Sequence, residues 1–130
     1  LEMLLQMCPD FRLLSRLGLE HEIAGFACFT TETVDPTSHW HMRFFAPGVG
    51  ISEDPVTGAA QGPMAVYLLA QGLLAVPPGG TGSFTGEQGD AMERPGRVQV
   101  EVALDEAGRA RQVHIGGPAV TVLQGRLRIH

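Results

Sequence analysis

The chain is organised around residues 43–74. An apolar strand pattern there runs into a turn, and the turn opens a helix. The stretch Met64-Ala65-Val66-Tyr67-Leu68-Leu69-Ala70 is apolar on nearly every side. A helix without a polar face is either buried in protein or spans a membrane. This one falls short of the roughly 20 apolar residues that a bilayer requires. The pattern therefore predicts a buried helix over residues 59–71 with strands wrapped round it. Pro63 has no N–H, and its ring clashes with the preceding turn. It belongs in or near the first turn, so the helix should begin between Ala59 and Gly62.

Elsewhere the pattern is short and turn-rich. Asp10 follows Pro9 and is placed to cap a short helix through Phe11, Leu13, Leu14 and Leu17, with Gly18 as the stop. Residues 22–30 and 39–46 read as strands on either side of an Asp35-Pro36-Thr37-Ser38 turn. In the second, Trp40, Met42 and Phe44 share one face, and His39, His41, Arg43 and Phe45 the other. Gly72 stands where a C-terminal helix glycine would. Residues 83–87 form a short strand. Val98, Val100, Val102 and Leu104 alternate with Arg97, Gln99 and Glu101, a half-buried strand over 97–104. Residues 109–115 return after an Asp105-Glu106-Ala107-Gly108 turn, and residues 119–123 and 126–129 close the set. Six or seven mostly antiparallel strands around one helix make an α+β domain.

Composition narrows the partners. The 130 residues make one domain, spanning 1–130, with enough chain for a core. A net charge of −5 argues against nucleic acid or a membrane surface. Every basic residue other than histidine is arginine. Cys8 and Cys28 match no metal spacing and read as two buried thiols of a cytoplasmic protein. The start at Leu1 rather than Met reads as an excised or trimmed chain.

Candidate chemistry gathers at the start of the buried helix. The amides of Gly58, Ala59, Ala60 and Gln61 fall at or near the first turn, where N–H groups lack intrahelical partners. Small side chains leave them open to an anion at the positive end of the helix dipole. Asp54 and Thr57 sit just ahead, able either to cap the helix or to face a ligand. Arg43 meets either a substrate carboxylate or a neighbouring acid such as Glu53. His39 and His41 could ligate a metal together, but no third ligand has a matching spacing, and His-x-His on a strand reads as a solvated face. No metal is assigned. The glycine-rich loop at 77–82 lacks the lysine of a phosphate-binding loop.

The blocks Arg43-Phe44-Phe45-Ala46-Pro47, Glu53-Asp54-Pro55-Val56-Thr57-Gly58-Ala59-Ala60, Glu87-Gln88-Gly89 and Met92-Glu93-Arg94-Pro95-Gly96 resemble the PhzF-like (phenazine biosynthesis) isomerase family, over about residues 8–128. That family is similar in fold to diaminopimelate epimerase. The resemblance implies a strand roll or barrel around one central apolar helix. It also implies a second such domain, with the active site between the two, and corresponds here to the C-terminal domain. It implies proton transfer without a cofactor on a small carboxylate substrate. Asp54 would be catalytic, and Thr57, Gly58, Ala59, Ala60 and Gln88 would bind substrate. Many relatives carry Ser where Ala59 stands, and the family's principal glutamate base lies in the first domain. The expected partner is that first domain or a second copy of this chain, and the chain alone is expected to be inactive. The alternatives on the same fold are a non-catalytic anion-binding domain and a self-associating module.

Overall fold

The computed structural model describes residues 1–128. Two helices open the chain, α1 (Glu2–Gln6) and α2 (Phe11–Glu20), followed by β1 (Phe26–Thr30) and β2 (Trp40–Ala46). A 3-10 turn leads to β3 (Ile51–Asp54), which feeds the long helix α3 (Gly58–Ala70). Then come β4 (Thr81–Gln88), β5 (Gly96–Leu104) and β6 (Ala110–Gly116). No helix among the described residues is long and apolar enough to cross a membrane.

The strands form a single mixed sheet in the order β1-β2-β4-β5-β6, with β3 attached to β2. All pairings are antiparallel except β2 with β4. The expected roll or barrel is therefore incorrect, because β1 and β6 remain separate edges and the sheet is open. Closure would have needed more strand, and residues 119–128 add none. Position 129, the end of the last expected strand, lies outside the described residues.

α3 covers one face of the sheet. Met64, Ala65 and Leu68 pack on Trp40, Met42, Phe84, Val98, Val100 and Val102. Burying Leu68 alone stabilises the fold by about 2 kcal/mol. An open sheet covers one side of a helix only, so the expectation of burial all round is corrected. Pro63, Tyr67 and Ala70 face outward, and Tyr67 is 49% exposed, its ring set edge-on against Phe29. The alternation in β5 is borne out: Val98, Val100 and Val102 are buried, Gln99 and Glu101 exposed.

The helix ends follow local chemistry. The Asp10 side chain accepts from the amides of Arg12 and Leu13, as expected of its position. α2 continues past Gly18 to Glu20, so Gly18 is not its stop. α3 begins at Gly58, earlier than expected, and Pro63 lies in its second turn. The carbonyl that the missing Pro63 N–H would have served belongs to Ala59, which is exposed, so its loss leaves no buried group unpaired. At the other end Gly72 adopts the left-handed conformation (φ 69°). Its amide reaches Leu69 O and that of Leu73 reaches Leu68 O, the paired bonds of a Schellman ending.

Candidate functional site

The site is assembled by the split edge of β2. One edge of β2 runs along β1. Along the other, its first half pairs with β4 and its second half with β3, so Met42 lies beside Gln88 and Phe44 beside Asp54. Met42 and Phe44 are two residues apart and share a face. Gln88 and Asp54 therefore arrive next to each other, on the side covered by α3.

A continuous hydrogen-bond chain runs through them. The Trp40 indole N–H donates to Gln61 Oε1 (2.7 Å), and Gln61 Nε2 donates to Gln88 Oε1 (3.1 Å). The Thr57 amide also donates to Gln88 Oε1 (3.0 Å). Gln88 Nε2 donates to the Asp54 carbonyl (2.6 Å) and to Thr57 Oγ1 (3.0 Å). The Thr57 hydroxyl donates to Asp54 Oδ2 (2.6 Å). Trp40, Gln61 and Gln88 are fully buried, while Asp54 and Thr57 are half-buried.

Thr57 occupies the cap position of α3, yet its hydroxyl makes no cap bond. It turns back to Asp54 instead. The Thr57 carbonyl takes the amides of both Ala60 (3.0 Å) and Gln61 (3.2 Å). Ala60 and Gln61 are thus not open donors. The amides of Gly58 and Ala59 have no acceptor among the described residues. Ala59 is exposed and Gly58 half-buried. A groove of about 470 Å³ opens beside Gly58, floored by Val56, Gly96 and Val98 and flanked by Arg97 and Ile115. A larger apolar groove of about 800 Å³ lies between α1 and β1, remote from Asp54 in its lining, and holds no acid–base pair.

The other candidates have structural partners. Arg43 is paired in two-pronged fashion with Glu53 (2.8 Å twice) and donates to the carbonyls of Leu4, Leu5 and Met7, tying α1 to the sheet. It is unavailable to a ligand. Burial pushes the Cys28 thiol up, with Arg43 working weakly against it, which leaves the thiol unsuited to nucleophilic chemistry. His39 and His41 are not a solvated face: His39 Nδ1 accepts from the Thr85 amide (3.1 Å), and His41 is fully buried.

His41 belongs to a charged cluster that pattern reading did not find. His41 Nε2 lies 2.9 Å from Asp90 Oδ2, and Arg97 bridges Asp90 (3.0 and 3.1 Å). Arg97 Nε also stands 3.4 Å from Glu87. Burial acts to raise the Asp90 pKa, but the hydrogen bonds from Arg97 and His41 outweigh it and hold the carboxyl below its ordinary range. His41, Glu87 and Asp90 bring three potential metal-ligand atoms within 4.8 Å of one another. Both Glu87 oxygens, however, accept backbone amides, from Val34 and Asp35 at 2.7 Å each. Arg97 already supplies the positive charge. The only advance signal was several charged residues at the end of β4, which does not distinguish a buried cluster from a solvated turn. Gln61 and Trp40 were likewise missed as polar partners: Gln61 stands among small and apolar residues, and Trp40 reads as a core aromatic with nothing local to mark a partner for its N–H.

Comparison with known proteins places this geometry. The family model described as phenazine biosynthesis-like protein matches residues 2–125. An uncharacterized isomerase of Clostridium acetobutylicum is 36% identical over 127 residues, which is 98% of this chain and 41% of the relative. The trans-2,3-dihydro-3-hydroxyanthranilate isomerase of Pseudomonas aeruginosa is 33% identical over 88 residues, 68% of this chain and 30% of that protein. The crystal structure of a Bacillus anthracis phenazine biosynthesis protein of the PhzF family superposes with a TM-score of 0.75 at 29% identity, covering 89% of this chain and 38% of that one. The chain thus spans about two fifths of the length of the Clostridium relative. With most of its length matched by the family model and its sheet and helices shared with a solved member, the chain belongs to the PhzF-like family of phenazine biosynthesis-like isomerases.

Proposed function

We propose that this chain forms one wall of an isomerase active site that moves a proton on a small carboxylate-bearing substrate without a cofactor. One observation carries this assignment: Thr57 stands at the cap of α3 but spends its hydroxyl on Asp54, leaving the Gly58 and Ala59 amides open. A capping hydroxyl would have accepted from the amide of Ala59 or Ala60. Two free donors at the positive helix end suit a substrate carboxylate. Asp54, at the end of β3 and bonded by the Thr57 hydroxyl, accepts a proton from a substrate carbon and returns it. In such an isomerisation a proton leaves one carbon, the double bond shifts, and a proton joins another carbon. The substrate is a small cyclic or 2-amino acid, by analogy with the hydroxyanthranilate isomerase among the relatives.

The opposing wall comes from a first domain of the same protein or from a second copy of this chain. Ile115, 50% exposed and beside Gly58, and Val113, beside Gly62, make this surface apolar, which favours a covering partner. Proton transfer of this kind needs a cleft that excludes water and opposes an acid to a base. The chain alone should therefore give no turnover. The test is solvent-deuterium incorporation into candidate cyclic and 2-amino carboxylates, with the chain alone and with a PhzF-like first domain supplied. Exchange should appear only in the assembly and vanish in Asp54→Asn. Full exchange by the Asp54→Asn assembly would overturn the assignment.

A further inference from the structure

We propose that Gln88 is a positioning residue: it sets the direction of the hydrogen bond between Thr57 and Asp54, so that Asp54 serves as a proton acceptor. This deepens the proton-transfer role given to Asp54 above and rests on it.

A carboxamide has two donor hydrogens and an oxygen with two acceptor sites. Gln88 uses all four. Its oxygen accepts from Thr57 N and Gln61 Nε2, and its nitrogen donates to Asp54 O and Thr57 Oγ1. Two of these partners cannot exchange roles, since a backbone N–H only donates and a backbone carbonyl only accepts. The oxygen must face Thr57 N and the nitrogen must face Asp54 O. The ambiguity that attends an isolated amide is removed by its neighbours. The far end agrees. The Trp40 indole only donates, so Gln61 turns its oxygen to Trp40 and presents its nitrogen to Gln88.

The consequence falls on Thr57. Its hydroxyl carries a single proton, and the Gln88 nitrogen already donates to Oγ1. That proton goes to Asp54 Oδ2, at 2.6 Å. Oδ2 is thereby held as an acceptor, and Oδ1 is left to take up a proton. Gly86 keeps the chain of bonds intact, because a Cβ there would overlap Gln61 Oε1 and the Trp40 indole. Gln88 itself is fully buried, so its influence passes through Thr57 and Asp54.

The test is the side-chain carboxyl ¹³C resonance of Asp54 in the 130-residue chain. Gln88→Glu keeps the shape but replaces the donor by an acceptor, which draws the Thr57 proton away from Asp54. The Asp54 resonance should move as it does in Thr57→Val, and the double variant should add nothing further. Thr57→Ser should leave it in place. A resonance unmoved by Gln88→Glu but moved by Thr57→Val, or two additive shifts, would overturn the proposal. The wild type offers a check that does not depend on the folding of Gln88→Glu. Both Gln88 side-chain amide protons should exchange slowly with solvent, and one should lose that protection in Thr57→Val. Rapid exchange of both in the wild type would also overturn it. If Asp54 proves dispensable for deuterium exchange, the catalytic assignment fails while these resonances stand. If the resonances fail and Asp54 remains essential, only the role of Gln88 is lost.

Discussion

Gln88 and Asp54 stand 34 positions apart in the chain, yet the Gln88 side chain donates to the Asp54 carbonyl at 2.6 Å. The contact ties the end of β4 to the end of β3, just ahead of α3. Removing it should be costly. In Gln88→Leu the Thr57 amide and Gln61 Nε2 lose their acceptor in a buried setting, and the Asp54 carbonyl loses its donor. The expected loss is about 3 kcal/mol, read from urea unfolding. A loss under about 1 kcal/mol, the net worth of one ordinary hydrogen bond, would show that water replaces the amide without penalty.

Arg43 should prove structural. It is 7% exposed and holds Glu53, two α1 carbonyls (Leu4 and Leu5) and that of Met7 just beyond the helix. Arg43→Met leaves Glu53 without its partner and should cost about 3–5 kcal/mol. Lysine cannot reproduce the fork geometry, so Arg43→Lys should recover little. Limited proteolysis should cut near residues 7–9 in either variant faster than in the wild type. Equal cleavage rates would count against the tie to α1.

Two glycines with positive φ separate backbone strain from crowding. Gly108 (φ +75°) has nothing among the described residues within 4 Å of a Cβ, so Gly108→Ala should cost only the conformational strain, about 1 kcal/mol. Gly89 (φ +89°) would carry the same strain and also press its Cβ on the Arg94 and Pro55 carbonyls, the latter at 2.6 Å. Overpacking adds about 1–3 kcal/mol. Thermal or urea unfolding of the two variants should rank them in that order.

Asp90 should contribute to the acid dependence of stability. Its folded pKa lies below the ordinary value because Arg97 and His41 outweigh burial. A depressed carboxyl contributes stability above its unfolded pKa, near 3.9, and loses it as pH falls through the lower folded value. Wild type should exceed Asp90→Asn in stability near neutrality, and the gap should narrow as pH drops below about 4. A gap that stays constant across urea midpoints at pH 6 to pH 3 would remove Asp90 from the acid response.

An anion should find the first turn of α3. Titration with acetate should shift the Gly58 and Ala59 amide resonances ahead of those of Ala60 and Gln61, whose protons are already held by Thr57 O. Gly58→Val should weaken the binding, since its Cβ would already sit 3.1 Å from Ile115 and the branches would cover the amides. Ala59→Ser should strengthen it by about 0.5–1.5 kcal/mol, one added hydrogen bond. Equal affinity in wild type and Gly58→Val would remove the site.

Local chemistry was legible in the residues themselves. The Asp10 cap, the left-handed Gly72 and the alternation of β5 all depend on neighbours a few positions away, where propensity and spacing act directly. The apolar stretch of α3 correctly marked the helix that packs on the sheet. What it could not convey was how many sides would be covered, because that depends on whether the sheet closes. Tertiary pairing alone decided that β2 would divide one edge between β4 and β3. That division joined Gln88 to Asp54, drew Gln61 and Trp40 into the same chain of bonds, and committed Arg43 to Glu53 and α1. Polar side chains in apolar runs carry no local mark of their partners. A buried donor takes whichever acceptor the fold brings within about 3 Å, and only the register of strands distant in sequence determines which one that is.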